Sequence, residues 1–391
     1  MSRALIIIGD LRETGGGLMV GLWAVQALAA DFDVTVLSWR PRPLADLDRN
    51  YGTRLAEMPQ IDVVTVAKPL LMLAGLLPTR GSLLKSMFLM RVARSWIAAH
   101  EPAIVVSTAN EMDVGRPIIQ YVHYPWIALP RPEAELRWYH SARAVALYRR
   151  MAMRIGRFDQ GRQSENLSLV NSDWTGAIFR RAYGRRPVTL YPPVPIETTG
   201  RSWEDREDAV VVVGRFSPEK RTLEAIDIVR RVREAGYPLS LHLCGLPANE
   251  AYLERVKGAA HADSDWVHLH VGSTREELIG LIGRCRYALH LMIDEHFGIA
   301  VAEGIRMGCL TVVHASGGPC EIVGDPRLTY GDDDQAVARL AALAQDPDLR
   351  DEVRAHLAGR ARLFSAERFA LELRGHCRRW VSGPALSAAE R

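Results

Sequence analysis

Short apolar runs, each closed by a turn and followed by residues at helical spacing, recur along the whole chain. Ala4-Leu-Ile-Ile-Ile8, Val34–Leu37, Ile61–Val66, Ala103–Val106, Ile118–Val122 and Leu167–Val170 make a first series. Ala209–Val213, Leu239–Gly245, Val267–Gly272, Tyr287–Ile293 and Leu310–Val313 make a second. Runs that are apolar on both faces and alternate with helices predict parallel strands in βαβ units. Between the series, Pro192, Pro193 and Pro195 stiffen the chain and Arg201 to Asp208 is a charged loop. The break predicts two Rossmann-like α/β domains, 1–194 and 195–365.

Parallel sheets bind ligands at the carboxyl ends of their strands, so the turns there carry the chemistry. In the first domain Thr14-Gly15-Gly16-Gly17 leads into a helix with Leu18, Leu22, Val25, Leu28 and Ala29 on its apolar positions. The turn is neither GxGxxG nor a P-loop, and Gly-rich turns open many α/β domains. His123 follows the run ending at Val122, and a lone histidine there is more often structural. In the second domain Gly214-Arg-Phe-Ser-Pro-Glu-Lys220 places two cations, Arg215 and Lys220, at a strand-to-helix turn. They suit a diphosphate, or are simply exposed. Glu295 precedes a His296-Phe297-Gly298 turn, and Glu303 lies about two turns along the helix begun by Ile299, with Ala302 and Ile305 on its apolar face. Two carboxylates facing one crevice can hold two sets of sugar hydroxyls; the alternative is one turn residue and one solvated helix residue.

Together these residues bring a resemblance. Glu295 and Glu303 enclosing Phe297-Gly298-Ile299, followed by His314-Ala-Ser-Gly-Gly-Pro319, resemble the donor-sugar motif of retaining GT-B glycosyltransferases of family four. Tyr121-Val-His-Tyr-Pro125 and Asn171-Ser-Asp-Trp-Thr175 are similar to its GDP-mannose-dependent α-1,2-mannosyltransferase branch, which extends dolichol-linked oligosaccharide. The resemblance implies a GT-B fold, two Rossmann-like domains facing a central cleft, with the Ala366–Val381 helix (366–382 at most) crossing back to the first domain. It implies that Glu295 contacts the donor hexose, Glu303 the ribose, and the backbone of Phe297, Gly298 and Ile299 the pyrophosphate. Arg215 and Lys220 form the phosphate clamp, and Gly16 and Gly17 close over the donor phosphates. His123 lies beside the transferring sugar, and Val271 near the base. Leu18 departs from the family, which often has a charged residue there, and so does Arg306 in the helix after Glu303.

The expected activity is therefore retaining transfer of a hexose from a nucleoside-diphosphate sugar, with GDP-mannose the first donor. No metal or other cofactor is expected, and no nucleic acid. The acceptor is a glycan, a glycolipid or a small molecule.

Composition changes this picture little. The chain has 391 residues, 48% of them apolar, which suffices for two full cores. Five cysteines without CxxC spacing read as core thiols of a cytoplasmic protein. Met1-Ser-Arg3 runs straight into the first strand, so no signal peptide is expected, nor any 18-residue apolar span. Net charge is +3, yet residues 1–190 carry 24 Lys+Arg against 16 Asp+Glu. That basic half, with the Leu- and Met-rich stretch from Pro69 to His100, reads either as peripheral contact with a membrane surface or as a solvated face over core helices. His242, His268, His270 and His290 alternate along strands and read as outward or core side chains, not a metal site. Asp332-Asp-Asp334 reads as a helix cap.

Overall fold

A computed structural model describes residues 2–66, 82–125, 127, 142–196 and 200–383. They fall into two compact units, Met1–Pro193 with Ala366–Arg391, and Val194–Ser365.

In the first unit the strands are β1 (Arg3–Ile7), β2 (Asp33–Ser38), β3 (Ile61–Thr65), β4 (Ile104–Ser107), β5 (Ile119–Val122), β6 (Leu167–Val170) and β7 (Val188–Thr189). All pair in parallel, in the order β3-β2-β1-β4-β5-β6-β7. Its helices are α1 (Gly16–Leu28), α2 (Leu44–Tyr51), α3 (Ser82–His100), α4 (Ala142–Gly156) and α5 (Asp173–Tyr183). The second unit holds β8 (Glu207–Val213), β9 (Ser240–Gly245), β10 (Val267–Val271), β11 (Cys285–His290), β12 (Leu310–His314) and β13 (Thr329–Tyr330), again parallel, ordered β10-β9-β8-β11-β12-β13. Its helices are α6 (Thr222–Glu234), α7 (Glu250–Ala262), α8 (Arg275–Arg284), α9 (Ile299–Arg306), α10 (Pro319–Val323), α11 (Asp333–Gln345) and α12 (Pro347–Ala361). Both orders are those of a doubly wound dinucleotide-type sheet, which reverses direction between β1 and β4 and between β8 and β11.

The last helix, α13 (Ala366–Ser382), completes the first unit. Its Phe369, Leu373 and Cys377 are buried in the same core as Leu18, Leu22, Val25 and Leu28 of α1. Arg374 and Arg378 both clamp Asp31, just beyond α1, with N···O distances of 2.9–3.2 Å. These bonds hold the Asp31 carboxyl far below the usual carboxylate range.

One strand expectation changes. The run to Ile293 leaves the sheet at His290; Asp294 has a φ of 53° and Ile293 is half exposed, so the last residues form a turn. Val188–Thr189 pairs with β6 as the last strand, and Pro192 and Pro193 beyond it lack the N–H a ladder needs. Of the Leu- and Met-rich stretch, residues 69–81 lie outside the described residues. Its described part is α3, whose Leu83, Met87, Met90, Ala93 and Ile97 are buried in the core. Trp138 and the rest of 132–141 also lie outside. No helix among the described residues is long and apolar enough to cross a membrane.

Candidate functional site

At a reversal of strand order the loops leaving two adjacent strands turn to opposite sides, and a crevice opens between them. In the second unit those loops are Gly214–Arg221 after β8 and Leu291–Gly298 after β11. The aliphatic stem of Lys220 lies over Gly214, where a Cβ would come within 3.4 Å of Lys220 Cδ. Its ammonium forms an ion pair with Glu295 Oε2 in a setting where each side chain keeps under a fifth of its exposure. Burial by itself would raise the Glu295 carboxyl; the Lys220 charge, then His290 and the hydrogen bond from Lys220, hold it down to about 2. His290 Nε2 lies 3.8 Å from the same oxygen, is buried, and has no hydrogen-bond partner among the described residues. Burial first and Lys220 second push its imidazole down to about 4, so near neutral pH it is uncharged.

The Glu295 turn is fixed by the loop after β12. Asp294 N–H donates to Ser316 Oγ (2.8 Å), and Gly318 N–H donates to the Glu295 carbonyl (2.9 Å). Gly317 has a φ of 77°, and a Cβ there would lie 2.3 Å from the Glu295 carbonyl oxygen. Only glycine allows this approach. Phe297 is buried edge-to-face on Phe364, with ring centroids 5.8 Å apart. Gly298, at φ 98°, starts α9, so the first N–H groups of that helix point along its axis without intrahelical acceptors.

Glu303 is almost fully buried and is held by Arg275, whose Nη1 donates to Glu303 Oε1. Arg275 Nη2 is buried without a hydrogen-bond partner among the described residues. Cys244, at the end of β9, ties the region together: burial raises its thiol, a hydrogen bond with Ser273 lowers it, and the Glu277 and Glu303 charges raise it further. Through Arg275, the first residue of α8, Glu303 is tied to the end of the loop Val271–Thr274, where Val271 is exposed and Gly272 has a φ of 76°. Glu295 and Glu303 thus enter two different ion pairs. Arg215 does not join Lys220: its side chain is 65% exposed and lies 3.7 Å from Glu219. Sequence reasoning missed Arg275 and set His290 aside. The missed signal for Arg275 is the capping box Thr274-x-x-Glu277, which makes Arg275 the first helical residue beyond β10.

In the first unit the reversal lies between β1 and β4. Gly15, at φ 121°, ends the loop after β1, and Gly16 begins α1. A Cβ on Gly17 would sit 3.5 Å from His123 Nε2, so two residues far apart in sequence are neighbours. His123 Nε2 lies 3.2 Å from the Thr108 carbonyl, which can only accept, so Nε2 carries the proton. His123 N–H donates to Asn110 Oδ1 (2.7 Å), and Asn171 Nδ2 donates to the His123 carbonyl (3.1 Å). The imidazole is thereby set in one orientation beside the Gly-rich turn.

The remaining candidates are structural. His242, His268 and His270 do cluster, with His242 Nδ1 3.1 Å from His270 Nε2 and Glu207 3.5 Å from His242 Nε2. Among the described residues no group of three His, Cys, Asp or Glu is placed to hold a metal ion. Asp332 caps α11, while Asp333 and Asp334 pair with Arg221 and Arg231. Arg306 donates to the carbonyls of Ile196 (2.9 Å) and Ala361 (3.3 Å). All five cysteines are free, four of them buried.

Residues 199–362 match the family model described as "Glycosyl transferases group 1". Over 261 residues the chain is 28% identical to the GDP-Man:Man(3)GlcNAc(2)-PP-Dol alpha-1,2-mannosyltransferase of Eremothecium gossypii, covering 59% of this chain and 44% of that one. The chain spans about half the length of the curated relatives it matches. Anabaena HepE in complex with UDP and glucose superposes with a TM-score of 0.68 at 16% identity, covering 97% of this chain and 100% of that one. The sucrose-phosphate synthase of Thermosynechococcus elongatus superposes at 0.69 with 14% identity, covering 98% and 100%. These likenesses show the fold, two parallel-sheet α/β units of the GT-B type.

Proposed function

We propose that this chain, whose residues 199–362 match the group 1 glycosyl transferase model, transfers a hexose from a nucleoside-diphosphate sugar to an acceptor hydroxyl. The observation that carries the reading is the meeting of Lys220 and Glu295 where the loops after β8 and β11 part. A cation and a carboxylate adjoining one crevice suit the two ends of an activated sugar, the charged diphosphate and the neutral hexose hydroxyls.

GDP-mannose is the donor we infer first, from the likeness to mannosyltransferases, and a lipid-linked oligosaccharide the first acceptor to try. Breaking the anomeric bond leaves positive character on the sugar ring and negative charge on the departing diphosphate. Lys220, the first N–H groups of α9 and the exposed Arg215 stabilise that negative charge without a metal. Lys220 reaches phosphate only by loosening its hold on Glu295, which frees that carboxylate to orient the hexose. His123, fixed beside the Gly16-Gly17 turn, offers an imidazole to a sugar hydroxyl. Transfer proceeds with retention: the acceptor hydroxyl attacks the face the diphosphate leaves, and its proton passes to the leaving phosphate oxygen.

The test is release of GDP from GDP-mannose by purified protein given a lipid-linked acceptor. Lys220→Ala and Arg215→Ala should slow release by roughly 10²–10³-fold and roughly 10-fold, with unchanged circular dichroism. Release only from a UDP-sugar would move the donor assignment. Turnover that needs inorganic phosphate would indicate a phosphorylase, and binding without turnover a sensor.

A further inference from the structure

The pair formed by Arg275 and Glu303 has more hydrogen-bonding capacity than its surroundings use. Nη1 and Oε1 are spent on each other, whereas Nη2 is buried with no partner among the described residues, and no second bond to Glu303 is formed. Buried guanidinium donors are seldom left unmatched in a finished structure, since removing them from water is unfavourable unless a partner replaces it. Such an orphan at the carboxyl edge of a parallel sheet points to a partner that arrives with the ligand.

The position narrows what that partner is. Arg275 opens α8 directly after the Val271–Thr274 loop, and Glu303, in the middle of α9, is bonded to it. A guanidinium N–H next to a carboxylate oxygen presents one donor and one acceptor. Each hydroxyl of a cis-diol can both donate and accept, so a ribose diol matches the pair as a unit. A deoxyribose, with one hydroxyl fewer, leaves either the donor or the acceptor unmet.

We propose that Arg275 is a positioning and specificity residue: it locks Glu303 in place through Nη1 and uses Nη2 to bind the ribose diol of the nucleoside-diphosphate donor. The inference rests on the transferase reading given above and deepens it, because Arg275 makes the nucleotide site selective for ribonucleotides.

Calorimetric titration of the full chain with GDP and with 2′-deoxy-GDP tests this in wild type, Arg275→Gln and Arg275→Lys, each with a thermal melt. Wild type should prefer GDP by about 10-fold or more. Arg275→Gln should bind GDP about 10–100-fold more weakly and discriminate by under about 3-fold. Arg275→Lys keeps a charge for Glu303 but lacks the guanidinium fork. It should retain preference for GDP while losing about 10-fold in affinity, and it serves where Arg275→Gln fails to fold. Wild-type affinity for GDP in Arg275→Lys would overturn the role of Nη2. Undiminished preference in a folded Arg275→Gln would overturn the hold on Glu303. If wild type binds neither nucleotide, the transferase reading falls as well, an outcome distinct from the other two.

Discussion

Lys220 and Glu295 are 75 positions apart in sequence, yet their charged ends meet at the one place in the second sheet where neighbouring loops part. The pair holds Glu295 ionised in a site whose burial favours the neutral acid. A carboxyl held down to about 2 contributes stability that is complete above its unfolded value near 4.5 and is lost as pH falls toward 2.

Removing the cation should reverse that sign. In Lys220→Met the opposing charge is gone and burial pushes the Glu295 carboxyl above its unfolded value. The group then favours folding only below about pH 4.5 and works against it as pH rises through the elevated value. The variant should therefore lie further below wild type in melting temperature at pH 7 than at pH 4. A deficit that stays constant from pH 4 to pH 8 would show that Lys220 does not set the state of Glu295.

Two buried histidines should make the protein acid-labile. His242 and His290 are both pushed down to about 4, first by burial. The unfolded chain takes up these protons near pH 6.5 while the folded one resists, so their stabilisation is complete above about 6.5 and declines as pH falls toward 4. His242→Phe should flatten the fall in melting temperature between pH 7 and pH 5. Equal slopes in variant and wild type would rule out this source.

Crowding and backbone strain can be separated at two glycines. Gly317 and Gly236 both have positive φ, 77° and 96°, but a Cβ meets the Glu295 carbonyl oxygen at 2.3 Å in the first and nothing within 4 Å in the second. Gly236→Ala should cost roughly 1–2 kcal/mol from the left-handed backbone alone. Gly317→Ala should cost at least roughly 3 kcal/mol and weaken nucleotide binding, because the Glu295 turn must move. Urea unfolding with parallel binding measurements decides it, and equal costs would count against the contact between the loops.

Arg306 interrupts an otherwise small-residue and apolar helix face. It donates to carbonyls of Ile196 and Ala361 on two separate segments of the same unit. Arg306→Met keeps the packing but strands those acceptors, and should lower stability by about 1–3 kcal/mol. Denaturant titration is the check; a loss below about 0.5 kcal/mol would mean water replaces the guanidinium without penalty.

Much of the architecture was legible because doubly wound sheets write themselves as repeated apolar runs, although the strand orders themselves come only from the structure. Gly17 and His123 were singled out separately, and their contact follows from strand order, since each leaves a strand near the reversal. What stayed hidden is pairing. The partner of Glu295 was named as a cation for phosphate, but no periodicity reveals that it reaches across to a carboxylate. Arg275 reads as one more solvated charge in a capping sequence, and only the packing of α8 against the site makes it an anchor. Ile293 misled because a half-exposed apolar residue in a turn looks, in one dimension, like the end of a strand.

The return of α13 to the first unit sets an order of assembly. A nascent chain emerging from the ribosome offers residues 194–365 complete before Phe369, Leu373 and Cys377 exist to fill the groove beside α1. The half whose synthesis starts first therefore cannot close its apolar seam beside α1 until the last residues of the chain have been made.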